Sequence, residues 1–180
     1  SFFFFFSFNA NVTNGQNIGT GLTVSGVGQS SAASITSSNA TGQTHTVTVG
    51  SITSTLDPSA PVSSLVIGNT MPKVASFRFN TQYDTYTISD LTFETSASQV
   101  ISEIVLKDGA AEVGRRPFIA NEAIFTGLSI PIQSNTSKTI DVYASLAPVG
   151  GSTDTGLDAQ VKLTKFISRN SSGEQINTPV

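Results

Sequence analysis

Few residues in this chain have the chemistry for catalysis or metal binding. Asp154-Thr155-Gly156 is the tripeptide of aspartic proteases, in which two carboxyl groups share one proton. That chemistry needs an apolar strand to bury the carboxyl. Here Gly150-Gly151-Ser152-Thr153 precedes it, so the tripeptide reads as a solvated turn. Asp154 and Asp158, with Asp57, Asp84 or Asp90 brought near by the fold, are weak candidates for the hard oxygen ligands that calcium takes. Their D-x-x-x-D spacing lacks the glycine and terminal glutamate of an EF-hand loop. His45 is the single histidine, so any Ser-His-Asp relay would have to use it. It lies in a Thr/Val alternation and reads as a surface or edge residue. Tyr83 and Tyr86 flank Asp84-Thr85 and offer a stacking platform for a sugar ring, or pack as strand-end aromatics. Asn11, Asn39, Asn135 and Asn170 open N-x-S/T sequons. Matches of that kind arise by chance in a chain with 26 Ser and 23 Thr. The residues therefore point to no catalytic centre and to no cofactor beyond a weak calcium site.

Composition supports this. The 180 residues include no Cys, no Trp, one Met and one His, which excludes disulfide frameworks, zinc-cysteine sites, paired-histidine haem ligation and thiol catalysis. Only 12% of residues are charged, against roughly 25% in an average soluble domain. The net charge of −3, with Arg115-Arg116 as the one basic pair, argues against nucleic acid as a partner. The longest apolar run, Phe2 to Phe6, is far shorter than the roughly 17 residues that cross a bilayer. It also lacks the basic start and small-residue cleavage site of a signal peptide, so the chain reads as already processed.

The elements that position these residues are strands. In Thr139 to Leu146, Ile140, Val142, Ala144 and Leu146 share one face while Asp141, Tyr143 and Ser145 take the other. Ala75, Phe77 and Phe79 alternate likewise, as do Ala159, Val161 and Leu163. Ile104 and Leu106 run into Lys107-Asp108-Gly109-Ala110, and the positive φ that Asp-Gly accepts predicts a hairpin returning through Ala111 to Gly114. The apolar phase slips between Ile88 and Leu91 and again at Gly50-Ser51, which predicts a β-bulge at each place. The expected fold is all-β, an antiparallel jelly-roll-type sandwich or barrel rather than a βαβ fold, with an N-terminal strand extension. Three segments are expected: an apolar strand at 1–8, a charge-free Ser/Thr/Gly-rich β segment at 9–56, and a sandwich module at 57–180 that holds all 21 charged residues. Leu22 to Val27 and Thr44 to Val49 suit strands, so the middle segment is expected to be ordered and added to the same sandwich.

Phe2, Phe3, Phe4, Phe5, Phe6 and Phe8 are the strongest single feature. As a strand they make both faces apolar. Burying one Phe is worth roughly 1.5–3 kcal/mol, so leaving six in water forfeits on the order of 10 kcal/mol. Either the chain's own core covers them, a groove in another copy does, or the segment inserts into a membrane. A terminal strand that completes the sheet of the next subunit makes a head-to-tail contact that does not close, and hence a filament.

From Leu56-Asp57-Pro58 to about Arg169 the chain resembles a β-sandwich repeat of secreted, cell-surface proteins of ultra-small candidate-phyla bacteria. The resemblance rests on the Leu56 to Gly68 opening and the Val74 to Phe79, Tyr86 to Glu94, Val100 to Gly114 and Ser129 to Leu146 segments. It implies an extracellular immunoglobulin-like sandwich module with structural or adhesive roles and no catalytic residues. The expected function is that of a structural subunit of an extracellular filament or pilus, not an enzyme, polymerising with copies of itself through the Phe-rich strand. The competing reading is a cell-surface adhesin or carbohydrate-binding module with surface glycans as partners, in which the Phe strand is ordinary core.

Overall fold

The computed structural model describes residues 14–27, 29–36, 40–61, 68–148 and 160–180. They fall into two compact units that meet between Val49 and Gly50. Among the described residues there are sixteen strands and no helix. The Phe-rich segment and the Asp154-Thr155-Gly156 tripeptide lie outside them.

The first unit is an antiparallel ribbon. Its outgoing arm is β1 (Asn17–Ile18), β2 (Gly21–Leu22) and β3 (Ser25–Val27), and its return arm is β4 (Ser34–Thr36), β5 (Ala40–Thr41) and β6 (His45–Thr46). β1 pairs β6, β2 pairs β5 and β3 pairs β4, each as a separate two-stranded ladder. Ile18 faces His45 and Gly21 faces Thr41, so three steps outward match four on the return. That makes the break between the first two ladders a bulge of one extra residue on the return arm. Gly15 and Val47 close the open end through backbone bonds, Gly15 N to Val47 O at 2.8 Å and Val47 N to Gln16 O at 2.9 Å. The described residues of 14–49 are thus paired into strands, and they belong to a compact unit distinct from residues 50–180.

The second unit is a β-sandwich. One sheet runs β11 (Ala111–Pro117), β10 (Ile101–Asp108), β14 (Ser137–Leu146), β8 (Lys73–Gln82), β7 (Ser51–Leu56). The other runs β12 (Glu122–Phe125), β9 (Tyr86–Thr95), β15 (Val161–Asn170), β16 (Gln175–Pro179), with β13 (Ile130–Ile132) also on β9. Every pairing is antiparallel. In chain order, the neighbours β7-β8-β14-β10 and β9-β15-β16 reproduce the ABED and CFG pairings of an immunoglobulin-type sandwich. β11, β12 and β13 are inserted between β10 and β14 and widen both sheets. Strand β7 shows that the charge-free segment extends into the sandwich. The structural boundary at Val49–Gly50 therefore precedes the compositional one at residue 57.

Local sequence accounts for these elements. Ile140, Val142 and Ala144 are buried, as are Ala75, Phe77 and Phe79, on the faces that their alternation assigns. The β10–β11 hairpin turns through Gly109-Ala110, and Gly109 takes the positive φ of 60° that the tight turn requires. A bulge occurs at Ser89, where Ile167 faces Asp90 and Ser168 faces Ile88. At Gly50-Ser51 there is no bulge. Val49 and Ile52 lie in different units, so the phase slip marks a joint.

Five phenylalanines from both sheets fill the centre. Phe79 on β8 meets Phe166 on β15 edge-on at 5.4 Å, and Phe93 on β9 meets Phe77 at 5.8 Å and Phe125 at 5.9 Å. One defect stands out: the Ser168 hydroxyl is fully buried and is the one buried side-chain polar atom without a partner among the described residues. An unpaired buried hydroxyl carries its desolvation penalty with no bond in return. Ser168→Ala is therefore expected to leave the thermal midpoint unchanged or raise it by a few degrees, read by calorimetry; a fall of several degrees would reveal a bond to that hydroxyl.

Candidate assembly edge

A sheet edge exposes unpaired N–H and C=O groups, and stable monomers blunt it with charge, proline, bulges or brevity. Among the described residues, four of the five edge segments in this sandwich are blunted. β11 carries Glu112, Arg115, Arg116 and Pro117, β12 carries Glu122, β13 carries Pro131 and β16 carries Pro179. The fifth, β7, reads Ser-Ile-Thr-Ser-Thr-Leu over six residues with no charge, no proline and no shift of register. Among the described residues its one partner is β8.

The ladder shows which groups β7 presents outward. Thr81 N donates to Thr136 O on the far side of β8, so Ile52, which faces Thr81, bonds away from β8. Asp57 N donates to Ser76 O at 2.8 Å, which places Ser51, Thr53 and Thr55 on the bonded side. Ile52, Ser54 and Leu56 therefore aim their N–H and C=O groups at the open edge. Ile52 is buried, while Leu56 is 64% exposed at the strand's end.

β7 is held at both ends. At its start, a Cβ built on Gly50 would lie 2.4 Å from Asp84 Cβ and 3.0 Å from the Tyr86 hydroxyl, so only glycine passes there without displacing them. At its end, the Asp57 carboxylate is buried. It accepts from Ser59 N at 2.8 Å, Arg78 Nε at 2.8 Å and Thr139 Oγ1 at 2.9 Å, which ties β7 to β8 and β14. The bonds from Ser59, with those from Thr139 and Arg78, hold its carboxyl well below the usual carboxylate range. Because the folded value lies below the unfolded one, about 3.9, the stabilisation is complete at neutral pH and is lost as pH falls through and below 4. Asp57→Asn should lower the thermal midpoint at pH 7 by on the order of 10 °C. The gap to the parent chain should close on acidification below pH 4; a gap that stays constant with pH would refute this role.

The remaining sequence candidates are dispersed. Phe2 to Phe8, Asn11, Asn39, Asp154 and Asp158 lie outside the described residues. Asp57 is occupied as above, Asp84 accepts from Thr85 N at 2.7 Å, and Asp90 accepts from the Ser89 hydroxyl. No group of three His, Asp or Glu side chains assembles among the described residues. The two tyrosines do not form a platform. Tyr86 is buried, and burial, with Asp84 and Glu174 nearby, pushes its phenol up, whereas Tyr83 is 63% exposed at a positive φ of 64°. His45 is exposed on β6 beside Ile18. Asn135 is exposed at a turn, where its Oδ1 accepts from Tyr83 N at 2.9 Å. Asn170 uses its amide nitrogen on Glu174 Oε2 at 3.1 Å and accepts from Glu174 N, closing the β15–β16 turn. Arg115 chelates Glu112 through two bonds of 2.9 Å and reaches Glu103 at 3.0 Å, so half of the basic pair is neutralised locally.

The open edge of β7 carries no reactive group, so no chemical motif marks it in the sequence. Its signal was the reverse, a strand with neither charge nor proline just before the first charged residue. No family model matches the chain, and no curated protein or solved structure matches it.

Proposed function

We propose that this protein is a structural subunit of an extracellular, cell-surface filament, built by β-strand addition between copies. The observation that carries the reading is the edge of β7, pinned at both ends and presenting the N–H and C=O groups of Ile52, Ser54 and Leu56. The Phe-rich segment of a neighbouring copy is the added strand. Its residues cannot stay in water without forfeiting on the order of 10 kcal/mol, and main-chain bonding to an edge supplies affinity without a side-chain code. One donor and one acceptor per chain give a head-to-tail contact that propagates. The low charge suits close packing of subunits, since desolvated charges are penalised while hydroxyls bond to backbone or water.

Removal of residues 1–8 tests this. The truncated chain is expected to stay folded, with the thermal midpoint of the parent sandwich, and to form no filament at any concentration. Unfolding of the truncated chain would show that the Phe segment belongs to its own core and would overturn the reading. Polymer formed equally well without the segment would do the same.

A further inference from the structure

A cleft of about 480 Å³ lies where the end of β8 meets the turn before β14, lined by Asn80, Thr81, Gln82, Asn135, Thr136 and Ser137. Its size falls within the roughly 300–1,000 Å³ of ligand clefts. The walls are fixed. Thr81 N donates to Thr136 O at 3.0 Å, and the buried Thr81 hydroxyl donates to Gln133 O at 2.6 Å and Thr136 O at 3.2 Å, which ties the turn to β8. Phe79 and Thr81 are buried, so Asn80 and Gln82 take the outer face of the sheet, and Ser137 lies beside Asn80 in register. The Asn80, Gln82 and Ser137 side chains bond to no other described residue. Each amide offers two donors and an acceptor, and the hydroxyl both donates and accepts.

Tyr83 stands at the rim. It follows Gln82, and its N–H donates to Asn135 Oδ1 at 2.9 Å. A bulky residue at positive φ is strained, and strain of this kind gathers at binding sites. Tyr83 has a φ of 64°, and Asn135, at the other end of that bond, a φ of 57°. The core gains little in return, because Tyr83 is largely exposed. A free aromatic ring beside free amides and hydroxyls complements a sugar, whose apolar ring face stacks and whose hydroxyls donate and accept. A peptide strand would bond through its main chain to a sheet edge, but β8 is already paired on both sides. We infer that the cleft is a saccharide-binding site: Tyr83 stacks on a neutral sugar unit, and Asn80, Gln82, Asn135 and Ser137 bond to its hydroxyls. The site lies on a sheet face and uses no group of the β7 edge.

The test applies the full chain to an array of immobilised oligosaccharides of glucose, galactose, mannose and N-acetylglucosamine, with sialylated and sulfated glycans beside them. Binding to a subset of the neutral glycans is expected. Tyr83→Gly should weaken that binding roughly tenfold while the thermal midpoint stays level or rises, since glycine accepts the positive φ without strain. Asn80→Ala should weaken it by roughly as much with the midpoint unchanged. Absence of binding to any neutral glycan would overturn the inference, as would binding that both variants retain or binding confined to the sialylated and sulfated glycans. A Tyr83→Gly chain that melts several degrees lower would assign the ring to the fold's own packing and overturn it too. Both variants are expected to polymerise like the parent chain, so failure here is distinguishable from failure of the filament reading.

Discussion

Replacing Phe93 by alanine is expected to lower the unfolding free energy by about 3–5 kcal/mol, a large share of the 5–15 kcal/mol that holds a typical domain. Phe93 is 1% exposed at the middle of β9, between Ala123 of β12 and Leu163 of β15 in register. Its ring contacts Phe77 of the opposite sheet and Phe125 of its own, at tilts of 54° and 85°. Truncation forfeits the transfer term and leaves a void that two rigid sheets cannot collapse to fill. Urea titration should show an earlier midpoint with an unchanged slope. Ile124, adjacent to Phe125 but 51% exposed, provides the contrast, since its change to alanine should fall within about 0.5 kcal/mol of the parent. Equal losses at the two positions would mean that the sheets do not face each other across Phe93.

The second large effect concerns assembly. Ser54 lies at the centre of the outward-bonding set Ile52, Ser54, Leu56, so proline there removes an N–H from the open edge and leaves the bonds to β8 intact. The sandwich should keep its fold, at a modest loss from the fixed φ of proline. Strand addition should weaken until the concentration needed for polymer rises at least tenfold, the equivalent of about 1.4 kcal/mol. Thr53→Pro separates the two roles. Thr53 bonds towards β8, so proline there should destabilise the sandwich itself. If Ser54→Pro polymerised like the parent chain, the acceptor would be another edge.

The fold was legible wherever burial dictates alternation. β14 reads directly, because it buries one face in strict alternation, whereas β8 and β10 keep the alternating core set but also bury Ser76 and Val105 from the other face. The Ser89 bulge was legible for the same reason, since it breaks the phase of a buried strand. The ribbon was harder, because nothing buried among its described residues constrains its phase and its bulge leaves no hydrophobic signature. The Gly50 slip marks the boundary between the two units and not the bulge its phase predicts: both break periodicity identically, and what distinguishes them is the partner of each strand. The role of Asp57 was invisible because its partners Arg78 and Thr139 come from two other strands. The split of Tyr83 from Tyr86 follows from the turn at Tyr83, whose positive φ directs the chain differently on either side.

Electron microscopy of the purified, unmodified chain over a rising concentration series tests the central claim most directly. The account predicts unbranched filaments that lengthen with concentration and vanish in the Ser54→Pro chain and on removal of residues 1–8. A chain that remained a dispersed 18.7 kDa monomer at every concentration would contradict it.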